Sequence, residues 1–467
     1  MGLGNLWKFP YITWDHGGGG FVLLYLACIV VVGLPLMTAE IVIGRAAQRS
    51  VVEAYPRLGG PGWRWAGWLG LVTSVVVFSF YAVVAGWSLY SFVRCLRWSV
   101  AGYVRPDPAA FGEFMANGWL QVGLGLAFIA VTGLVVGRGV RDGIDRAARI
   151  LMPALFVMLL YMLVASLRLP GAVEGLRFMF RLDFSAIDRE AVLVAMGHAF
   201  FTLTVGIGAL IAYGSYLGER DPARGDSLLR TAATITALDT LAALMACGVL
   251  FPIIFSVPEL KAQLSGDASV SSAAMLFVTL PDLFYRHLPG GAVLAPSFFV
   301  LVAFAALSST IPPLEIVVST LLERSERRAS SDGAPLSRPA ATALACALVA
   351  VLMVGCALSL GASPTLSSLR PFGPLEGLNT RIAGGKTGVL AVFDHLSANW
   401  MLPLGGLITA IFAGWALDDA VVAEQLGGDA RGRPVLTARI WRVFVRFVCP
   451  AAIGWILLTV LRGGDFS

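Results

Sequence analysis

The chain has 467 residues, of which 57% are hydrophobic and 13% charged, and its formal net charge is +5. Soluble domains carry about 25% charged residues, so the composition excludes a water-soluble enzyme and predicts a polytopic α-helical membrane protein. No basic cluster is interleaved with aromatic residues, and the six cysteines lack the spacing of metal ligands. Nucleic-acid binding and a structural metal centre are therefore not expected.

Ten apolar segments reach the roughly 20 residues that cross a bilayer core. They lie at 20–44, 67–97, 118–137, 148–167, 190–217, 229–257, 291–322, 339–361, 387–417 and 439–461. Together with a shorter glycine-containing segment at 2–14, they predict about eleven helices in one transmembrane domain that covers 1–467.

Basic residues predict the orientation of these helices, because cytoplasmic connections carry an excess of Lys and Arg. One set of alternating connections holds 19 basic residues and the opposite set holds 11. The richer set comprises 45–66, 137–149, 214–230, 323–338 and 418–442. We predict that this set faces the cytoplasm, and that the long connection 258–290 faces outward and contains a helical hairpin.

Two segments carry glycines where a continuous helix would be expected. The opening MGLGNLWKFP contains two, and Gly206 and Gly208 interrupt the apolar segment 190–217. Glycine destabilises a helix interior by about 1 kcal/mol, and unwound backbone persists in a bilayer only where it lines a cavity or binds a ligand. Small residues can instead permit close helix packing.

Two broken helices in corresponding positions of two halves are typical of a secondary transporter with inverted repeats. The halves would be about 1–167 and 190–417, followed by an extra helix at 439–461. The segment before the first break is short, so we expect the first helix to be truncated at its amino end. Such a truncation would leave a non-transporting sensor or a defective transporter as an alternative.

A series of motifs resembles the neurotransmitter:sodium symporter family, in its bacterial branch. In chain order they read GLGNLWKFPY, GGGGFVLLYL, VGLPLMTAEIVIGR, FSFYAVVAGW, GIDRAARILMPALF, FFTLTVGIGA, LDTLAALMACGVLFP, FVTLPDLF and FAALSST. The resemblance implies a five-plus-five inverted-repeat fold with broken first and sixth helices. It also implies Na⁺-coupled symport of an amino acid or a related small amine by alternating access, in the cell inner membrane, and it allows a homodimer. No enzymatic activity is implied, and the amino terminus is cytoplasmic in full-length members.

The resemblance further implies two Na⁺ sites. Asn5, Thr202 and Asp239 would form the first. The second would use the backbone carbonyls of Met1 and Ala305 with the hydroxyls of Ser308 and Ser309. A carboxylate within a membrane is usually functional, although Asp239 could also be a structural residue near a loop. The serines could alternatively make hydrogen bonds between helices.

A substrate site is implied between the broken helices. Its predicted residues are Gly4, Val77, Tyr81, Phe201, Thr202, Thr204, Gly206, Ile207 and Ser309. Tyr81 and the amides near Gly4 would bind the substrate carboxylate, and carbonyls from Thr202 to Thr204 its ammonium group. The apolar members favour an apolar substrate side chain, and Pro312 and Pro313 are expected to kink the eighth helix and reshape the pocket.

Gates are implied on both sides of the site. Lys8 matches the basic residue of an outer gate, where Arg is more usual in the family. Its acidic partner is expected near Ala398, and Asp394 lies one turn earlier. Tyr216 and Glu323 match members of an inner gate.

Two departures from the family pattern concern the coupling ions. His198 could be a neutral buried residue or part of proton-coupled amino-acid transport. Ala243 occupies a position where some chloride-independent members of the family carry a carboxylate. Asp239, one turn away, could supply that negative charge instead. We therefore expect that chloride is not required.

Overall fold

The structure is a computed structural model that describes residues 2, 4–105, 109–218, 227–265, 275–287, 290–329, 334–427 and 435–465. These ranges are helical and contain no β-strand. Nine helices within them are long and apolar enough to cross a membrane. Met1, the predicted carbonyl ligand of the second Na⁺ site, lies outside the described residues.

The principal helices agree with the apolar segments and are numbered here in chain order. The first, α1, consists of the π-helical turn Gly4–Lys8 and the α-helix Phe9–Asp15. The long spans are α2 Gly19–Ala47, α3 Pro61–Ala101, α4 Gly118–Gly137, α5 Val140–Ser166, α7 Leu228–Ser256, α8 Gly291–Ala329, α9 Arg338–Leu358, α10 Val389–Ala416 and α11 Leu436–Leu461. The sixth helix is discontinuous.

The break predicted in the sixth helix is confirmed. Segment α6a covers Arg189–Thr202 and segment α6b covers Ala209–Gly214. Between them, Gly206 has φ +99° and Gly208 has φ +80°, a region that residues with a Cβ rarely adopt. A Cβ on Gly206 would also lie 2.2 Å from the carbonyl oxygen of Leu402. Glycine is therefore required for both the conformation and the close approach of α10.

Shorter helices occupy the connections. They are Val51–Gly59, Ala110–Ala116, Ala172–Phe180, Pro258–Ser265, Met275–Thr279, Leu280–His287, Pro364–Ser367, Glu376–Ala383 and Asp419–Leu426. Three of them lie in the connection predicted to contain a helical hairpin, of which 266–274 and 288–289 are not described. Helix α8 continues as one α-helix through Pro312 and Pro313.

Both segments of the discontinuous sixth helix are largely buried within the bundle. Helix α3 packs along α8, α6b packs against α2, and α7 contacts α1. Buried polar pairs join neighbouring helices, as where Trp87 Nε1 donates to Gln121 Oε1 at 2.6 Å and the Thr132 and Thr310 hydroxyls lie 2.9 Å apart. The outer helices α4, α5 and α9 instead expose apolar side chains, as expected for surfaces in contact with lipid.

Candidate ion and substrate site

Three oxygen-bearing side chains meet where α1 and α6a approach α7. The Asn5 amide Nδ2 donates to Asp239 Oδ1 at 2.7 Å and to the Asp239 carbonyl at 3.2 Å. The Thr202 hydroxyl lies 2.8 Å from Asp239 Oδ2 and also contacts Asn5 Oδ1, and it can donate its one proton to either oxygen. Asn5 and Asp239 are 1% and 5% exposed. Amide, hydroxyl and carboxylate oxygens are ligands suited to a hard cation, so this donor set fits Na⁺.

Three of the four predicted ligands of the second Na⁺ site lie on α8. Ala305 is buried, and its carbonyl oxygen accepts from the Ser308 hydroxyl at 2.9 Å and the Ser309 hydroxyl at 3.1 Å. Both serines line the central cavity. Their hydroxyls bond within their own helix, so these bonds do not join α8 to a neighbour.

A cavity of about 350 Å³ lies between the start of α1, the two segments of α6, and helices α3 and α8. Its wall contains all but one of the predicted substrate residues: Gly4, Val77, Tyr81, Phe201, Thr202, Thr204, Ile207 and Ser309. Asp239, Pro312 and Pro313 also line it. The volume is within the usual range for small-molecule sites, and the wall is largely apolar with a few polar groups.

Gly206 is the predicted residue that does not line the cavity. Its amide instead donates to Glu40 Oε1 on α2 at 2.7 Å, and the Leu210 amide donates to Glu40 Oε2 at 3.2 Å. Glu40 is fully buried. Its two carboxylate oxygens accept from one amide that precedes α6b and from one amide in the first turn of α6b. Thr204, which remains in the wall, has φ +54°, an uncommon conformation for a residue other than glycine.

Lys8 lies above the cavity on the predicted outer side. Its ammonium is 5.8 Å from the centroid of the Phe201 ring, within the range of a cation–π contact. The charged groups that act electrostatically on Lys8 are the Asp394 carboxylate on α10, Asp465 in the segment after α11, and the Lys386 ammonium. Lys8 and Asp394 thus interact electrostatically, together with a second carboxylate that the sequence did not predict. Their pairing as an outer gate stays a prediction.

The two predicted inner-gate residues belong to separate clusters. Glu323 accepts from the Ser50 amide at 2.8 Å and pairs with Arg49 at 3.3 Å and Arg327 at 3.1 Å. Tyr216 instead donates to Glu315, which also pairs with Arg338. Both clusters link α8 to neighbouring elements on the predicted cytoplasmic side.

Sequence reasoning missed Glu40 and Glu315, although the signal was present. Each is a single carboxylate in an apolar span, and both are fully buried. An ionisable residue inside a membrane segment is a functional candidate by default. Their partners could not be found in this way, because the Gly206 and Leu210 amides and the Arg338 side chain are distant in sequence.

His198 packs beside the first helix. Its ring stacks on Phe9 with centroids 5.3 Å apart and lies 5.5 Å from the Tyr25 ring. The side chain is 2% exposed, and neither ring nitrogen has a hydrogen-bond partner among the described residues. It is close to the cavity but is not part of its wall.

The fold and the site together indicate the class of membrane protein to which the chain belongs. A helical membrane protein with a discontinuous helix, oxygen-bearing side chains at the break and a cavity beside them has the architecture of a secondary transporter. The sodium:neurotransmitter symporter family model matches residues 1–104 and 111–371. The chain belongs to this family, and it is therefore a multi-pass, sodium-dependent solute symporter rather than an enzyme.

Individual relatives agree with this assignment. The chain is 30% identical to the uncharacterized sodium-dependent transporter YhdH of Bacillus subtilis (strain 168), over 99% of this chain and 94% of the relative. It is 28% identical to the human sodium-dependent neutral amino acid transporter SLC6A17 over 54% of this chain and 38% of that protein. The crystal structure of MhsT in complex with L-phenylalanine matches with 32% identity and a TM-score of 0.78, covering 98% of this chain and 96% of MhsT.

Proposed function

We propose that this protein uses a Na⁺ gradient to take up an amino acid with an apolar side chain. The proposal rests on one observation: the cluster of oxygen-bearing side chains suited to Na⁺ shares residues with the wall of a substrate-sized cavity. Thr202 and Asp239 belong to the oxygen cluster with Asn5 and also line the cavity. A cation bound by these oxygens and an amino acid in the cavity would therefore share neighbours, so each could stabilise the other.

The polar groups of the cavity are suited to an α-amino acid. Tyr81 would donate to the substrate carboxylate, together with amides of the first break near Gly4, and carbonyls from Thr202 to Thr204 would accept from the ammonium. Val77, Phe201 and Ile207 would surround the side chain. The L-phenylalanine in the MhsT crystal structure and the neutral-amino-acid relative support this substrate class.

We propose that Asp239 makes chloride unnecessary. A carboxylate beside the Na⁺ ligands balances the charge of the ion, and a bound anion would otherwise have to do so. Ala305, Ser308, Ser309 and the carbonyl of Met1 are proposed to hold a second Na⁺.

Alternating access would proceed by closing one gate before the other opens. Lys8 with Asp394 would close the outer side above Phe201. Glu323 with Arg49 and Arg327, and Tyr216 with Glu315, would close the inner side. This assignment uses the orientation predicted from basic residues, with the protein in the cell inner membrane. The two half-repeats, about 1–167 and 190–417, are proposed as the units that move.

Uptake by purified protein in liposomes tests the proposal. A panel of radiolabelled amino acids is offered with an inward Na⁺ gradient, with equal Na⁺ on both sides, and with a pH gradient in place of Na⁺. We expect Na⁺-driven accumulation of at least one apolar amino acid. Accumulation driven by the pH gradient alone would instead establish proton coupling, for which buried His198 is the candidate group. Binding without uptake would point to a sensor or a defective transporter.

A further inference from the structure

Asp465 reaches the outer gate from the segment that follows α11. The helix ends at Leu461, and the Gly464 amide donates back to the Thr459 carbonyl at 3.0 Å. Gly463 has φ +97° in this turn. The reversal directs the chain toward α10, so that Asp465 lies beside the helix that carries Asp394.

Three groups among the described residues contact the Asp465 carboxylate. Lys386, in the connection before α10, places its Nζ 3.0 Å from Asp465 Oδ2. The Asn399 amide donates to Asp465 Oδ1 at 2.9 Å, and His395 Nδ1 is 3.3 Å from the same oxygen. Asp465 thus joins the segment after α11 both to α10 and to the connection that leads into it.

The pairing of Asp465 with Lys386 affects the charges that surround Asp394. Asp394 has two lysines as electrostatic neighbours, Lys8 and Lys386, as well as the Asp465 carboxylate and His395. A single carboxylate facing two ammonium groups would be shared between them. Asp465 pairs with Lys386 at 3.0 Å and acts on Lys8 more weakly than Asp394 does, so Asp394 stays available to Lys8.

We propose that Asp465 is a positioning residue of the outer gate, which occupies Lys386 so that Lys8 can pair with Asp394. This inference rests on the outer gate proposed above. Without the Asp465 charge, Lys386 competes with Lys8 for Asp394, and the closed gate becomes less stable. Substrate would then escape outward more readily, which raises the KM for uptake.

Substrate uptake by three variants tests this role. Asp465→Asn preserves the shape of the side chain and removes its charge, and we expect KM to rise about 3- to 10-fold, as for loss of a partly exposed charged contact. In the double variant with Lys386→Gln the competitor is also removed, and KM should return to within about twofold of wild type. Glu376→Gln is the matched control, because Glu376 pairs with Arg370 at 3.1 Å but is 80% exposed.

The double variant separates positioning from a merely structural role. If Asp465 acts only as a tether for the segment after α11, the second substitution cannot restore uptake, and the double variant stays as impaired as Asp465→Asn. That result, or a KM for Asp465→Asn equal to that of Glu376→Gln, would overturn the proposal.

Thiol labelling tests the role of Asp465 in the outer gate without requiring that the protein transports an amino acid. A probe cysteine at Val77, in the cavity wall, is labelled from outside by an impermeant reagent only while the outer gate is open. Five of the six native cysteines are buried, and Cys346 is half-buried, so they should react slowly. We expect faster labelling in the Asp465→Asn background and a normal rate when Lys386→Gln is added. This readout remains valid if the wild-type protein transports none of the amino acids offered, an outcome that would overturn the proposed function alone.

Discussion

At the scale of single residues, Asp239 supplies the negative charge of the proposed ion site. It accepts from both Asn5 and Thr202 and is almost fully buried. A buried carboxylate is costly unless it is hydrogen-bonded and faces a positive charge. The Asp239 carboxylate lies beside an amide oxygen and a hydroxyl oxygen, and such a set of oxygens is suited to a hard cation such as Na⁺.

Asp239→Asn should weaken Na⁺ binding. Hydrogen bonds and contacts to a charged group contribute about 1.5–3 kcal/mol, so we expect the Na⁺ concentration for half-maximal uptake to rise about 10- to 100-fold in chloride-free medium. If the carboxylate replaces chloride, added chloride should recover part of the loss. The measurement is the Na⁺ dependence of uptake with chloride or gluconate as the anion.

Asp145→Asn is the control for this substitution. Asp145 pairs with Arg149 at 2.7 Å on an exposed part of the chain, and surface pairs of this kind contribute about 0–1 kcal/mol. Its loss should leave the Na⁺ dependence unchanged. Equal Na⁺ affinities in Asp239→Asn and wild type would contradict the assignment of Asp239 as a ligand.

Tyr81→Phe should affect the substrate rather than the ion. The variant keeps the ring in the cavity wall and removes the hydroxyl proposed to donate to the substrate carboxylate. We expect KM for the amino acid to rise about 10- to 100-fold, from the loss of a hydrogen bond to a charged group, while the Na⁺ dependence changes little. Tyr161→Phe serves as the control, because Tyr161 is exposed on α5. An unchanged KM would remove Tyr81 from the substrate site.

At the scale of elements, the sixth helix shows how an unwound segment is held within a membrane domain. Glu40 accepts from amides at both Gly206 and Leu210, so donors freed by the break are satisfied from α2. The positive φ angles of Gly206 and Gly208 turn the chain between α6a and α6b. The break is therefore a fixed structure that positions Thr202 and Thr204 at the cavity.

Gly206→Ala should disrupt this element. A non-glycine residue in such a conformation costs about 1–3 kcal/mol, and the added methyl group would clash with the Leu402 carbonyl. We expect a lower thermal unfolding temperature and strongly reduced uptake. Gly123→Ala is the matched control, because a Cβ there meets no atom within 4 Å and alanine favours a helix interior. A stable, active Gly206→Ala variant would show that the break does not need this backbone conformation.

At the scale of the whole molecule, the sequence predicted those parts of the fold that depend on local pattern. Apolar length predicted the long spans, and the glycines of FFTLTVGIGA predicted the break between α6a and α6b. The family motifs also predicted residues that line one cavity, such as Tyr81 and Ser309. The ion and gating roles of those residues, like the two half-repeats, stay predictions.

The remaining features depend on contacts between distant segments, which no local pattern contains. Periodicity cannot show that Gly206 faces Glu40 rather than the cavity. The separation of Tyr216 from Glu323 arises because Glu315 and Arg338 lie closer to Tyr216. Likewise, Asp465 meets Asn399 only because the turn after α11 reverses the chain.

Coupling between Na⁺ and substrate should make transport depend on membrane voltage. An amino acid with an apolar side chain is a zwitterion without net charge, so each co-transported Na⁺ moves one positive charge across the membrane. One charge crossing 100 mV corresponds to about 2.3 kcal/mol, or about a 50-fold change in the limiting accumulation ratio. Two Na⁺ per substrate would square that factor.

The accumulation ratio at steady state therefore reports the number of charges moved. Liposomes with a K⁺ gradient and valinomycin supply the voltage, and the same liposomes without valinomycin are the control. With equal Na⁺ on both sides, an inside-negative potential should drive accumulation by itself, and the slope of its logarithm against voltage gives the charge count. Accumulation that follows the Na⁺ gradient but not the voltage would mean that a compensating charge moves with each Na⁺. The candidate would then be an outward proton, and His198 would become the residue to substitute.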